Sequence, residues 1–170
     1  MSIHHSIVAQ LHSSLGNLEH WLDAGVAFAE KKKFDPKVLL HARLAPDQYP
    51  LYRQVQAACD QAKFIAARLS GKDAPKHPDD EQSLEELRAR IHDVRTYLAG
   101  FTDADFAGAD ERIIPLPFAP GKGMLGRAYL VQMALPNFYF HLTTAYAILR
   151  KNGLDLGKRD FIGALDLRDL

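Results

Sequence analysis

The sequence predicts an all-α protein, one four-helix bundle with a small β-hairpin between the third and fourth helices. Three observations predict it. Four segments repeat apolar residues at steps of three and four, the period of one helix face. The segments between them are punctuated by proline and glycine. No internal repeat and no domain-scale linker divides the 170 residues, so residues 1–170 read as a single domain with room for a sizeable core.

The first helix runs from Ser2 to about Lys32, with Ile3, Ile7, Leu11, Leu15, Leu18, Leu22, Val26 and Ala29 on one face. Lys31, Lys32 and Lys33 suit its C-terminal end, where cations meet the negative pole of the helix dipole. Phe34 to Pro50 is a linker. Its three prolines, Pro36, Pro46 and Pro50, forbid a long helix, but residues 36–42 can hold a turn or two. This connection is long for antiparallel neighbours and is expected to cross the bundle or line a site.

The second helix covers about Tyr49 to Ser70, with a stripe of Leu51, Val55, Ala58, Ala62, Ile65 and Leu69, and stops at Gly71. Lys72 to Asp80 is a polar loop. Ser83 and Glu86 have the spacing of a capping box and open a third helix to about Ala99, whose seam is Leu84, Leu87, Ile91, Val94 and Leu98. Thr102 to Gly123 reads as irregular or extended, with hairpin arms at about Arg112–Phe118 and Met124–Leu130. A fourth helix spans about Val131 to Lys151, with Ala134, Phe138, His141, Ala145 and Ile148 on its inner face and a stop at Asn152-Gly153. The tail from Leu154 to Leu170 is expected to pack over the bundle end.

Composition excludes several classes. Twenty-one Lys+Arg balance 21 Asp+Glu, and a net charge of zero argues against a nucleic-acid partner. One cysteine cannot form an internal disulfide or a Cys-rich zinc site. No apolar run approaches the roughly 20 residues that span a bilayer. Residues 1–10 lack the layout of a signal peptide, so the expected location is the cytoplasm. Eight histidines are the oddity and raise the question of a metal.

His141 is the leading candidate. It lies on the apolar stripe one turn after Asn137, and an i, i+4 pair points two side chains the same way. With a third donor from a facing helix, such a pair can hold a metal or a polar ligand. The blander alternative is a core histidine satisfied by its neighbours. His41, in the linker, is the second candidate ligand. Gln54, Gln56 and Asp60 are the polar candidates of the second helix, next to or between its stripe residues. Asp60 can supply a carboxylate, although an ion pair with Lys63 is the simpler reading. Cys59 is expected to face inward and be inert. Tyr139 and Thr144 could line a pocket, but aromatics at helical spacing usually pack and helical hydroxyls usually bond back to the preceding turn. The histidines other than His141 read as scattered, exposed or off the apolar face.

The segment from Leu135-Pro-Asn-Phe-Tyr-Phe-His141 through Arg150 to Gly163, with Gln54–Lys63, resembles an uncharacterised bacterial family grouped with the DinB/YfiT-like metalloenzymes. The resemblance implies a DinB/YfiT-like four-helix bundle with a long crossover connection, and often a homodimer. It implies a divalent metal, zinc or nickel, held by one histidine of the second helix and a His-x-x-x-His pair near the fourth. Relatives include thiol-dependent S-transferases and isomerases. Here the pair reads Asn137-x-x-x-His141 and the second helix has no histidine, so two of three ligands are changed. Two readings follow. One is a small-molecule pocket at Asn137 and His141 with metal-dependent thiol-transferase chemistry. The other is a non-catalytic, dimeric binding or stress-related protein that has lost the metal site.

Overall fold

The computed structural model describes residues 2–169. The first apolar period becomes α1, Ile3–Lys32. The Ser2 hydroxyl caps it by accepting from the His5 amide at 3.2 Å. Lys33 ends it in the left-handed conformation, φ 59°. Val8, Leu11, Leu15, Leu18, Trp21 and Leu22 are buried along its length. The turn foreseen in the linker is α2, Lys37–Leu40, and buried Leu39 and Leu40 pin the linker to the core.

The second helix is α3, Leu51–Ser70. It starts later than Tyr49 because Pro50 is extended and stands as the cap, at φ −69° and ψ 167°. This helix is buried nearly all round, and Gln54, Gln56 and Lys63 are buried with its apolar stripe. Gly71 closes it at φ 77°. The third helix is α4, Leu84–Ala99. Half of its capping box is as expected, since the Ser83 hydroxyl accepts from the Glu86 amide at 3.1 Å. The other half is shifted by one residue: the Glu86 carboxylate takes the amide of Gln82 and not that of Ser83.

The hairpin consists of β1, Ile113–Pro115, and β2, Gly123–Leu125, paired antiparallel with Ile114 opposite Met124. Its second arm is shorter than Met124–Leu130, because the chain turns helical at Gly126. The fourth helix therefore begins before Val131: α5 is Gly126–Tyr129, a π-helical turn covers Leu130–Ala134, and α6 runs Leu135–Lys151. Pro136 accounts for the π turn. It has no N–H to give the preceding turn and its ring crowds the carbonyl there, and a widened turn relieves both.

Around the bundle, α1 packs on α4, α4 on α3, α3 on α6, and α6 back on α1. The tail covers the bundle end only in part. Leu154 and Leu156 are buried, and a short helix not read from the sequence, α7 at Lys158–Ile162, stacks Phe161 on Trp21 at 5.6 Å. Beyond it Leu165 and Leu167 are exposed. Leu170, the last residue of the predicted tail, lies outside the described residues. Among the described residues no helix is long and apolar enough to cross a membrane.

Candidate functional site

The seam between α3 and α6, beneath the end of the linker, holds the first polar cluster. His141 is half-buried on α6, and its Nδ1 lies 2.8 Å from Gln54 Oε1 on α3. The other end of that amide is fixed, because Gln54 Nε2 donates to the Tyr49 carbonyl at 3.1 Å. A carbonyl only accepts, so the amide oxygen must face the imidazole, and His141 Nδ1 must carry the proton. Burial pushes the His141 pKa below its ordinary value, which favours the neutral ring. The result is one tautomer with a lone pair on Nε2. The ring is stacked on Tyr49 at 6.4 Å and meets Phe140 edge-on at 5.2 Å. Arg53 lies over the Tyr49 ring, 5.5 Å from its centre.

The bond from His141 thus crosses to the facing helix instead of running along its own helix to Asn137. Asn137 is partly buried one turn away. Tyr139 packs edge-on against Phe138 at 5.1 Å. The Thr144 hydroxyl donates back to the Phe140 carbonyl at 2.6 Å, the ordinary helical arrangement. His41 is exposed at the end of α2, edge-on to Tyr52 at 5.7 Å, where it lines a cleft of about 190 Å³ with Asp79, Glu81 and Gln82. Five clefts on the described surface are lined by other residues than Asn137 and His141.

Gln56 and Asp60 belong to a second cluster, which faces α4 and the loop between α3 and α4. Its centre is Arg90, with a side chain only 2% exposed. Arg90 donates to Asp60 at 2.7 Å, Asp79 at 2.8 Å and Glu81 at 2.9 Å. Glu81 also accepts from Gln56 Nε2 at 2.6 Å, and Asp79 from Arg53 at 2.9 Å. Asp60 does pair with Lys63, at 2.8 Å, but Lys63 is buried and Arg90 shares the same carboxylate oxygen. These carboxylates hold the guanidinium charged and raise its pKa despite the opposing effect of burial. Cys59 beside them is fully buried, and desolvation pushes its thiol up to about 12. Arg90 was not singled out in the sequence. The available signal is its position three residues after Leu87 and four before Val94, on the seam side of α4.

His4 is buried rather than off-face, stacked on Phe106 at 6.1 Å with Nε2 3.3 Å from the Asp110 carboxylate. The residues at the place of the implied zinc or nickel do not fit such an ion. Gln54 and Asn137 are amides, poor donors for these metals, and His141 is the single imidazole, with Nδ1 already engaged. Among the described residues no group of three or more His, Cys, Asp or Glu side chains is placed to hold a metal ion.

Comparison with known proteins places the chain. The pattern of DUF1993, a domain of unknown function, matches residues 3–162. No curated protein matches the sequence. Among solved structures, a DinB family member protein from Shewanella denitrificans is similar, with a TM-score of 0.93 and 50% identity over 96% of this chain and 93% of that one. The chain therefore belongs to the DUF1993 family and carries the DinB-like helical fold.

Proposed function

We propose that this protein is a non-catalytic, DinB-like binding protein that works without a resident transition metal and recognises a polar small molecule through His141. The observation that carries this reading is the Gln54–His141 contact with its amide orientation set by the Tyr49 carbonyl. It leaves Nε2 as an acceptor, so the ligand is a hydrogen-bond donor. The flanking rings of Tyr49 and Phe140 are 52% and 53% exposed and offer the ligand an apolar seat. The thiol-transferase chemistry that the resemblance implies uses a metal to activate the thiol, and the donor set does not support one. A homodimer remains part of the proposal and is tested by light scattering.

The metal half is tested by elemental analysis of tag-free protein grown with added zinc and nickel. Content far below one ion per chain is expected, unchanged by His141→Ala. Near-stoichiometric metal that disappears in the variant would overturn it. The binding half is tested by ¹⁵N spectra of the His141 ring during titration with hydrogen-bond-donor fragments. The free ring should be protonated on Nδ1, and a bound fragment should move the Nε2 signal. A ring protonated on Nε2 would sink this reading.

A further inference from the structure

The loop between α3 and α4 is held at both ends and once in between. At its start the Tyr97 hydroxyl donates to the Asp73 carbonyl at 2.9 Å. At its end Arg90 grips Asp79 and Glu81. Between these anchors, His77 Nδ1 lies 3.0 Å from Lys63 Nζ. An ammonium has no lone pair to offer, so Lys63 is the donor and His77 Nδ1 must be the unprotonated acceptor. Lys63 and His77 both line a surface cleft of about 510 Å³, together with Asp60, Phe64 and residues 74–76 among others.

We propose that the Lys63–His77 contact is a proton-operated latch: protonation of His77 Nδ1 breaks it, frees residues 74–77 from α3 and widens the cleft they line. A proton there abolishes the acceptor and sets two cations about 3 Å apart, where their repulsion is poorly screened. The groups facing His77 offset that repulsion only in part. On α3 these are Lys63 and Asp60, and Asp60 is already shared between Lys63 and Arg90. On α4 they are Arg90, Glu86 and Asp93, and within the loop Lys76, Asp79, Asp80 and Glu81. Asp79 and Glu81 are taken up by Arg90, Arg53 and Gln56. Burial, then Lys63 and Arg90, lower the His77 pKa from its ordinary value, with Asp93 and Asp60 opposing, so the latch is closed at neutral pH and opens on acidification. The anchors at Asp73 and at Asp79–Glu81 contain no histidine, so the opening is confined to the stretch between them.

Backbone ¹⁵N relaxation of the full chain at pH 7.5 and pH 5.5, with the His77 ring followed in parallel, reads the latch. Order parameters of Ala74, Lys76 and His77 should fall from the rigid range, about 0.85, toward the flexible range as His77 titrates, while α4 and the anchored Asp73 stay rigid. His77→Gln keeps an acceptor that does not titrate, and should stay rigid at both values. Lys63→Met removes the donor and should be flexible at both. An unchanged pH response in His77→Gln, or a His77 titration that leaves residues 74–77 rigid, would overturn the proposal.

Discussion

Arg90 shows what a single buried charge demands of its surroundings. Three carboxylates and a backbone carbonyl converge on one guanidinium whose Nε still lacks a partner. Truncating it would leave partly buried Asp60 with Lys63 and Glu81 with the neutral Gln56 amide, and an uncompensated buried charge costs about 3–5 kcal/mol. Arg90→Ala should therefore lower unfolding stability in urea by about 3 kcal/mol, the low end, because Asp79 can turn to water. Arg53 shares Asp79, but its side chain is 36% exposed, and Arg53→Ala should cost no more than about 1 kcal/mol. Equal losses for the two would contradict this ranking. The site was legible to the same degree as these charges. His141 stood out because helical spacing puts it on an inner face. Its partner did not, because the i, i+4 rule names neighbours on one helix and says nothing about which group on a facing helix closes the bond. Gln54 was visible as a polar candidate, and the contact that matters needed the packing of α3 on α6.

At the scale of elements, the parts set by local chemistry were readable and those set by docking were not. Ser2, Ser83, Gly71 and Gly153 mark helix ends through caps and positive φ, both of which are written in residue type. The hairpin arms are three residues each, too short for a period, and α7 is held through Phe161 against Trp21 rather than by a pattern of its own. The junction of β2 and α5 is likewise a docking constraint. A Cβ on Gly126 would stand 1.9 Å from the Ala109 carbonyl oxygen, so the backbone there must approach a residue with no side chain. Gly126→Ala should cost about 1–3 kcal/mol, the usual range for overpacking, read as a lower denaturant midpoint. A neutral result would mean that the 107–112 segment yields freely.

For the whole molecule, three buried or half-buried histidines act in one direction. His12, His77 and His141 all have pKa values lowered from 6.5, in each case chiefly by desolvation. The unfolded chain then binds more protons than the folded one as the pH drops past 6.5. Their contribution to stability is complete above that value and is lost as pH falls through the lowered folded values. The melting temperature should decline between pH 7 and pH 5, before carboxylates titrate, and less steeply in a His12→Gln, His77→Gln, His141→Gln triple variant. A flat profile in the parent protein would count against the burial of these rings.

The π turn at Leu130–Ala134 governs how this chain can change length. A π turn holds one residue more than the α turn it replaces, and one residue is about 100° of rotation. Both sides of it are tied to the same helix: Arg112 Nε donates to the Leu69 carbonyl of α3 at 3.2 Å, and His141 meets Gln54 further along α3. The surplus residue thus sets the angular phase between the hairpin and His141. Deleting one residue here, such as exposed Gln132, would swing the imidazole off Gln54 or the hairpin off Leu69.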